Sequence, residues 1–281
     1  MKSKLGDFEC PQNAKSIVDK LNSSGIVVIR EFLAKVMISR LNSRFESWMN
    51  RDSISVLRRI DHPRNPGGVQ AFVCPDVAAS SGETELFDVF RLGLVRAIAE
   101  EFFSPQEFRL NPAVVLTHLQ PASNPILPWH FDRMQSLKFW IYLDDASEDN
   151  GALEYCPGTH WEGRYRASYH MATGTAVKNI PNDVPDHRIQ HPLVVDAKAG
   201  DLIVFDPDGF HRGGVVKPGN ERRVIRADTF PLKTRRYSDF PMTGGWWLRS
   251  IFNLARWLKV SGSRTLGDRT KDTTTRRERS N

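Results

Sequence analysis

The 281-residue chain has little cysteine, no long apolar run and no internal repeat, and each absence narrows what it can be. Its three cysteines, Cys10, Cys74 and Cys156, are odd in number and scattered. They form neither a disulfide framework nor a zinc-binding spacing, so a reducing, cytoplasmic setting is expected. No apolar stretch is long enough to span a bilayer, and Met1 to Phe8 lacks a signal-peptide pattern. Excess positive charge is also missing from most of the chain, despite a formal net charge of +6. From Arg235 onward 11 Lys and Arg face 4 Asp and Glu, which leaves 28 against 29 in the remainder. A near-neutral body does not suit phosphate recognition, so no nucleic-acid partner is expected.

What the chain does have is apolar and aromatic bulk. Hydrophobic residues make up 40%, with 16 Phe and 7 Trp, enough for one substantial core. Helical spacing covers residues 14–21. Gly25 ends it, and Ile26-Val27-Val28-Ile29 reads as a short buried strand. Residues 32–49 return to helical spacing, with Leu33, Val36, Met37, Leu41, Phe45 and Trp48 expected on one buried stripe. Residues 61–81, rich in Gly and Pro, are expected to be a loop of the kind that forms lids, and residues 85–103 a further helix. From Phe108 the pattern changes to about eight short strands with turn signals between them.

The expected fold is therefore mainly β with a helical cap: a cap over 1–107 and a double-stranded β-helix (jelly-roll, cupin-like) barrel over 108–232, within one domain spanning 1–240. Residues 246–260 form an amphipathic pattern with Trp247, Leu248, Ile251, Phe252, Ala255 and Leu258 on one side. Such a helix docks on the barrel or on a second subunit, or lies on an anionic membrane surface; oligomeric state is left open. Residues 261–281 are polar and basic and are expected to be disordered.

Chemistry concentrates at His130-Phe131-Asp132 and at His211. Residues i and i+2 of a strand point to one side of a sheet, which makes His-x-Asp a usable ligand pair. Two imidazoles and a carboxylate are the facial triad of non-heme Fe(II) oxygenases, with positions left open for O2 and a cosubstrate. Arg222 follows His211 by eleven residues, within Glu221-Arg222-Arg223-Val224-Ile225-Arg226. Its always-charged planar fork suits the distal carboxylate of a 2-oxo acid such as 2-oxoglutarate.

These residues lie within a wider pattern. Residues 21–29 (LNSSGIVVI) read as helix, Gly and apolar strand; further on come Leu143-Asp144-Asp145, Asn150-Gly151-Ala152-Leu153, Pro157-Gly158-Thr159-His160 and Gly200-Asp201-Leu202-Ile203-Val204-Phe205. Together with His130, Asp132, His211 and Arg222, this set resembles the phytanoyl-CoA dioxygenase family of Fe(II)- and 2-oxoglutarate-dependent oxygenases, over roughly Lys15 to Phe230. The resemblance implies His130, Asp132 and His211 as iron ligands and Arg222 as the 2-oxoglutarate anchor. Related halogenases have a small residue in place of the carboxylate ligand, so Asp132 favours hydroxylation of a small-molecule substrate.

Alternation supplies three more candidates. Lys138 shares a strand face with Trp140 and Tyr142, opposite the apolar Leu137, Phe139, Ile141 and Leu143. Lys138 is a candidate for cosubstrate binding, and Trp140 for substrate binding. Arg226 shares a face with Arg222, Val224 and Asp228; it either binds an anionic substrate or pairs with Asp228, and the pairing is the expectation. The competing function classes are a noncatalytic jelly-roll binding protein, and an oxygenase acting on a lipid-like or macromolecular substrate.

Overall fold

Asn13 and Gly25 bracket the first helix. The Asn13 side chain accepts the Ser16 N–H at 2.9 Å, and Gly25 closes the helix in the left-handed region at φ 81°. The computed structural model describes residues 13–51, 57–62, 65–109, 114–132, 136–173 and 182–232. The expected helix over 246–260 and the tail over 261–281 lie outside the described residues. The chain divides into two units, Met1–Arg164 with Pro181–Thr234, and Tyr165–Ile180 with Arg235–Asn281. Every described strand belongs to the first unit.

In chain order the elements are α1 (Ala14–Ser24), β1 (Ile26–Ile29), α2 (Lys35–Met49), β2 (Leu57–His62), β3 (Asn65–Val73), α3 (Pro75–Ser81), α4 (Glu85–Asp88), α5 (Gly93–Phe103), β4 (Phe108–Arg109) and β5 (Val114–Leu119). Then come β6 (His130–Phe131), β7 (Leu137–Tyr142), β8 (Leu153–Tyr155), α6 (His160–Thr173), β9 (Asn182–Asp183), β10 (Leu193–Val194), β11 (Leu202–Phe205), β12 (His211–Gly213) and β13 (Arg222–Pro231). The major sheet runs β1-β11-β7-β13-β5-β3-β2, with β4 pairing the end of β13; the minor sheet runs β10-β8-β12-β6-β9. All the ladders are antiparallel.

The two faces of the major sheet explain its sequence. Val27, Ile29, Leu137, Phe139, Ile141, Leu202, Val204, Ile225 and Ala227 pack in one cluster with Leu21, Phe45, Trp48 and Phe90 of the helical layer. The alternate residues Ile26, Val28, Trp140, Tyr142, Ile203, Phe205 and Val224 pack in a second cluster with Leu153, Tyr155 and Leu193 of the minor sheet. A strand covered on both faces must be apolar throughout, which is why Ile26 to Ile29 shows no alternation. The expected apolar face of β7 does meet helices, and the Lys138 face does turn toward the minor sheet.

The expected closed barrel is instead two sheets with separate ladders. Minor-sheet strands are only two or three residues long, too short to carry pairing around the rim. Residues 61–81 are also not a loop. β2 and β3 form a hairpin, and β3 covers the edge of β5, whose backbone groups would otherwise go unpaired. With β1, these strands add to the major sheet from within the segment expected as a helical cap. The expected helix over 85–103 breaks at Leu92, which is extended at ψ 146° just before α5. Sequence reading gave no sign of α6, whose Glu162, Arg164 and Arg166 interrupt any apolar stripe. No helix among the described residues is long and apolar enough to cross a membrane.

Candidate metal centre

β12 pairs with β6 so that His211 lies directly opposite His130, and their ring centroids are 4.3 Å apart. Asp132 stands one residue past the end of β6. Its backbone N–H donates to the Pro207 carbonyl at 2.7 Å, which turns the carboxylate toward the histidines, with Oδ1 4.0 Å from His130 Nε2. One ligand atom from each of His130, Asp132 and His211 lies within 4.8 Å of the others. The three residues expected as ligands therefore come together, although the carboxylate is placed by a loop contact rather than by the strand.

Each imidazole is oriented from behind. His130 Nδ1 lies 2.8 Å from the Pro128 carbonyl, and His211 Nδ1 lies 2.8 Å from the Gly209 carbonyl. A carbonyl only accepts, so each Nδ1 carries the proton and each Nε2 keeps its lone pair for a metal. Burial lowers both histidine pKa values, that of His211 far below the ordinary range and helped by its neighbour His130. Burial alone would raise the Asp132 pKa. The charge of Lys138, with His211 and His130, outweighs it and holds the carboxyl well below the usual carboxylate range. Lys138 Nζ is 2.6 Å from Asp132 Oδ2, so the residue expected to touch cosubstrate is also the partner of a triad carboxylate.

Arg222 is buried at 5% exposure, and no ion pair holds it among the described residues. Its Nη1 donates to the Gly151 carbonyl, while its Nε is buried without a partner. Burial, and the like charge of Arg226, lower its pKa. Gly213 leaves room for it: a Cβ there would come 2.9 Å from Arg222 Nη2. Gly213 is two residues beyond His211 on β12, so the guanidinium lies against the strand that carries a triad histidine. The Tyr142 hydroxyl accepts the Leu153 N–H at 2.9 Å and keeps its own proton free to donate. Tyr142, Gly151 and Gly213, which neighbour Arg222, were not among the residues expected at the site. The shared face of Lys138 and Tyr142 was the available signal for the first.

Trp140 and Arg226 are directly opposite each other on β7 and β13, and both turn inward. Trp140 Nε1, Arg226 Nε and Asp228 Oδ1 are all buried without partners. The expected Arg226–Asp228 ion pair is thus not formed. Same-face residues i and i+2 of a strand start about 6.6 Å apart, so an ion pair forms only where both side chains bend toward each other, and here they do not.

The donor set fits its groups. Two imidazole nitrogens and a carboxylate suit Fe(II), and a buried guanidinium without an ion-pair partner, against the strand that carries His211, suits the far end of a short dicarboxylate. This is the equipment of an oxygenase that uses Fe(II), 2-oxoglutarate and O2. The chain belongs to the phytanoyl-CoA dioxygenase (PhyH) family, whose pattern matches residues 21–224. It is 22% identical over 244 residues to the dioxygenase trt7 of Aspergillus terreus, covering 80% of this chain and 76% of that one. Among solved structures it is similar to the carbocyclase SnoK from nogalamycin biosynthesis (TM-score 0.59, 15% identity, 86% of this chain and 93% of that one). It is also similar to the epimerase SnoN in complex with Fe3+, alpha-ketoglutarate and nogalamycin RO (TM-score 0.57, 15% identity, 83% of this chain and 91% of that one).

The loop between β11 and β12 holds the triad through its backbone. Besides Pro207 and Gly209, the Asp206 carbonyl accepts the Tyr155 hydroxyl at 2.9 Å. Arg164, from α6, pairs with the carboxylates of both Asp206 and Asp208 beneath this loop. Arg164→Met leaves two buried carboxylates without their cation. We expect a stability loss of about 3–5 kcal/mol and weaker Co(II) binding by roughly 10-fold as the loop relaxes. Urea unfolding and anaerobic Co(II) titration measure the two effects; if neither changes, Arg164 does not hold the loop.

Burial also lowers the pKa of His160, which adds a third depressed histidine to His130 and His211. The folded chain keeps these rings neutral where the unfolded chain takes up protons. Stability is therefore full above the unfolded histidine value of about 6.5 and falls as pH drops below it, by at most about 1.4 kcal/mol per pH unit for each ring. Metal-free protein should melt at a lower temperature at pH 5.5 than at pH 7.5. A flat profile across that range would show that the rings charge without cost.

Proposed function

We propose that this oxygenase hydroxylates a small-molecule substrate and converts 2-oxoglutarate to succinate and CO2 in the same cycle. The observation that carries the reading is the coexistence of an intact His130-Asp132-His211 triad with Arg222, a buried cation that no described carboxylate pairs. Iron and 2-oxoglutarate, when bound, supply the power to activate O2 and oxidise a C–H bond. The protein supplies the rest. His130 and His211 present neutral Nε2 atoms, held by their backbone acceptors. Asp132 presents a carboxylate kept ionised beside Lys138. Arg222 fixes the distal carboxylate of the cosubstrate, with the Tyr142 hydroxyl as a second donor. Trp140, Tyr142, Tyr155 and Phe205 wall the interior with aromatic surface and exclude water.

On this reading the paired sheets are an open form of the double-stranded β-helix, with the site between them. Asp132 supports hydroxylation rather than halide transfer, since it fills the position a halide would need. An intact metal and anion site argues against a noncatalytic binding protein. Cys74 and Cys156 are free, which suits a reducing cytoplasm that keeps iron ferrous.

The test is anaerobic loading with Fe(II) and 2-oxoglutarate, exposure to O2, and mass analysis with a library of small molecules. Succinate with a product heavier by one oxygen atom is the expected result. Succinate with a product of unchanged mass or two hydrogens lighter would replace hydroxylation by isomerisation or desaturation. Iron-loaded protein that forms no succinate would remove the oxygenase cycle itself.

A further inference from the structure

We propose that Arg226 is the anion-binding residue for the primary substrate, which therefore carries a carboxylate or phosphate group. This deepens the oxygenase reading above and rests on it.

On β13 the side chains of Arg222, Val224, Arg226 and Asp228 share one face, and Val224 packs in the cluster between the sheets. Arg226 is opposite Trp140 on β7 and Val115 on β5. Its neighbours on both sides are therefore apolar or aromatic, and neither supplies a negative charge. Its Nε is buried without a partner, and no ion pair reaches it among the described residues. Asp228 offers the nearest carboxylate in sequence on that face, yet its own Oδ1 is buried without a partner. Arg226 is only partly buried, but its Nε is withdrawn from water with no acceptor, and buried donors are normally satisfied, so the inward edge of this guanidinium marks the place of an absent anion.

The charge balance of the interior points the same way. Lys138, Arg222 and Arg226 face Asp132 and Asp228 on or beside the inner surfaces of β7 and β13, a surplus of one positive charge with the histidines neutral. Fe(II) adds two positive charges and 2-oxoglutarate two negative, so the loaded site keeps that surplus. Lys138 is taken by Asp132 at 2.6 Å, and Arg222 by the cosubstrate on the reading above. Arg226 is the cation that remains. Around it Trp140 Nε1 is a donor without an acceptor, Thr117 Oγ1 is unpaired in the next cross-strand row, and Asp228 Oδ1 is an acceptor without a donor. A hydroxyl or amine close to the anionic group would satisfy Asp228 as well.

A carboxylate at Arg226 has two sources, the substrate or 2-oxoglutarate itself, and the experiment separates them. The probes are a panel of small carboxylates and phosphate monoesters, each paired with its neutral ester or amide. They are titrated anaerobically into Co(II)- and 2-oxoglutarate-loaded protein, and thermal shift and equilibrium binding are read. Anions should bind, and their neutral counterparts should bind about 10-fold more weakly or worse. Arg226→Gln should lose that preference, and Arg226→Lys, which keeps the charge, should retain most of it. The affinity of Arg226→Gln for 2-oxoglutarate should stay close to that of the wild type.

Four results overturn the proposal: no anion in the panel binds, neutral partners bind as well as the anions, Arg226→Gln weakens 2-oxoglutarate as strongly as Arg222→Ala does, or Arg226→Gln keeps the wild-type preference for anions. The third would hand Arg226 to the cosubstrate. Failure of the wild type to bind Co(II) and 2-oxoglutarate at all is a different outcome. It would overturn the oxygenase reading, and the Arg226 proposal with it.

Discussion

Asp132→Ala should bind Fe(II) or Co(II) more weakly than wild type by a factor exceeding the roughly 10–100-fold that follows loss of a group supporting a metal ligand. Two effects add. The substitution removes one of three donors whose ligand atoms lie within 4.8 Å of one another. It also strands Lys138, whose side chain is only 11% exposed and whose Nζ is 2.6 Å from Asp132. An uncompensated ammonium beside the metal position repels a dication. Asp132→Asn should fall between, because it keeps an oxygen donor and loses the charge. Visible absorption during anaerobic Co(II) titration reads the affinity directly and needs no substrate. Near-equal affinity for the alanine variant and the wild type would mean that Asp132 is not a ligand, and that Lys138 holds it in a structural ion pair.

The second large effect is expected at Arg222. Arg222→Ala should weaken 2-oxoglutarate by about 2–5 kcal/mol, the usual cost of leaving one member of a buried charged pair alone, or roughly 30- to 5000-fold. Arg222→Lys should be intermediate, since a single ammonium cannot reproduce the two-pronged contact. Stability without cosubstrate should behave differently. Arg222 is buried at 5% exposure with an unpartnered Nε, so it gains little from the empty fold. Its removal should leave the melting temperature of the metal-free protein level or higher. A variant that loses stability but keeps its 2-oxoglutarate affinity would place Arg222 in the framework rather than in the site. Isothermal titration at fixed Co(II), with thermal unfolding of the same samples, separates the two cases.

Local sequence carried much of the fold. Asn13 and Gly25 fixed the ends of α1, and unbroken apolarity marked β1 as covered on both faces. Alternation in β7 separated a helix-facing side from an interior side that holds Lys138, Trp140 and Tyr142. It failed where local and tertiary demands conflict. The Gly- and Pro-rich segment over 61–81 reads as a loop, yet the free edge of β5 recruits part of it as β3. α6 has no apolar stripe to announce it, and its Arg164 is placed by carboxylates more than forty residues away.

By itself the sequence determined the chemistry available: two histidines and an aspartate at ligand spacing, an arginine on a following strand, and a body of near-neutral charge. It also determined which side chains share a strand face, because that depends only on a period of two. Which faces meet was decided by tertiary structure alone. Pairing of β6 with β12 sets His130 opposite His211 across a gap of 81 positions, and the Pro207 carbonyl turns Asp132 toward both. Partners were decided there too. Lys138 found Asp132, while Arg226 and Asp228, adjacent on one face, found neither each other nor any other described partner. Charge pairing depends on distances across strands and loops, and no pattern along a single strand contains them.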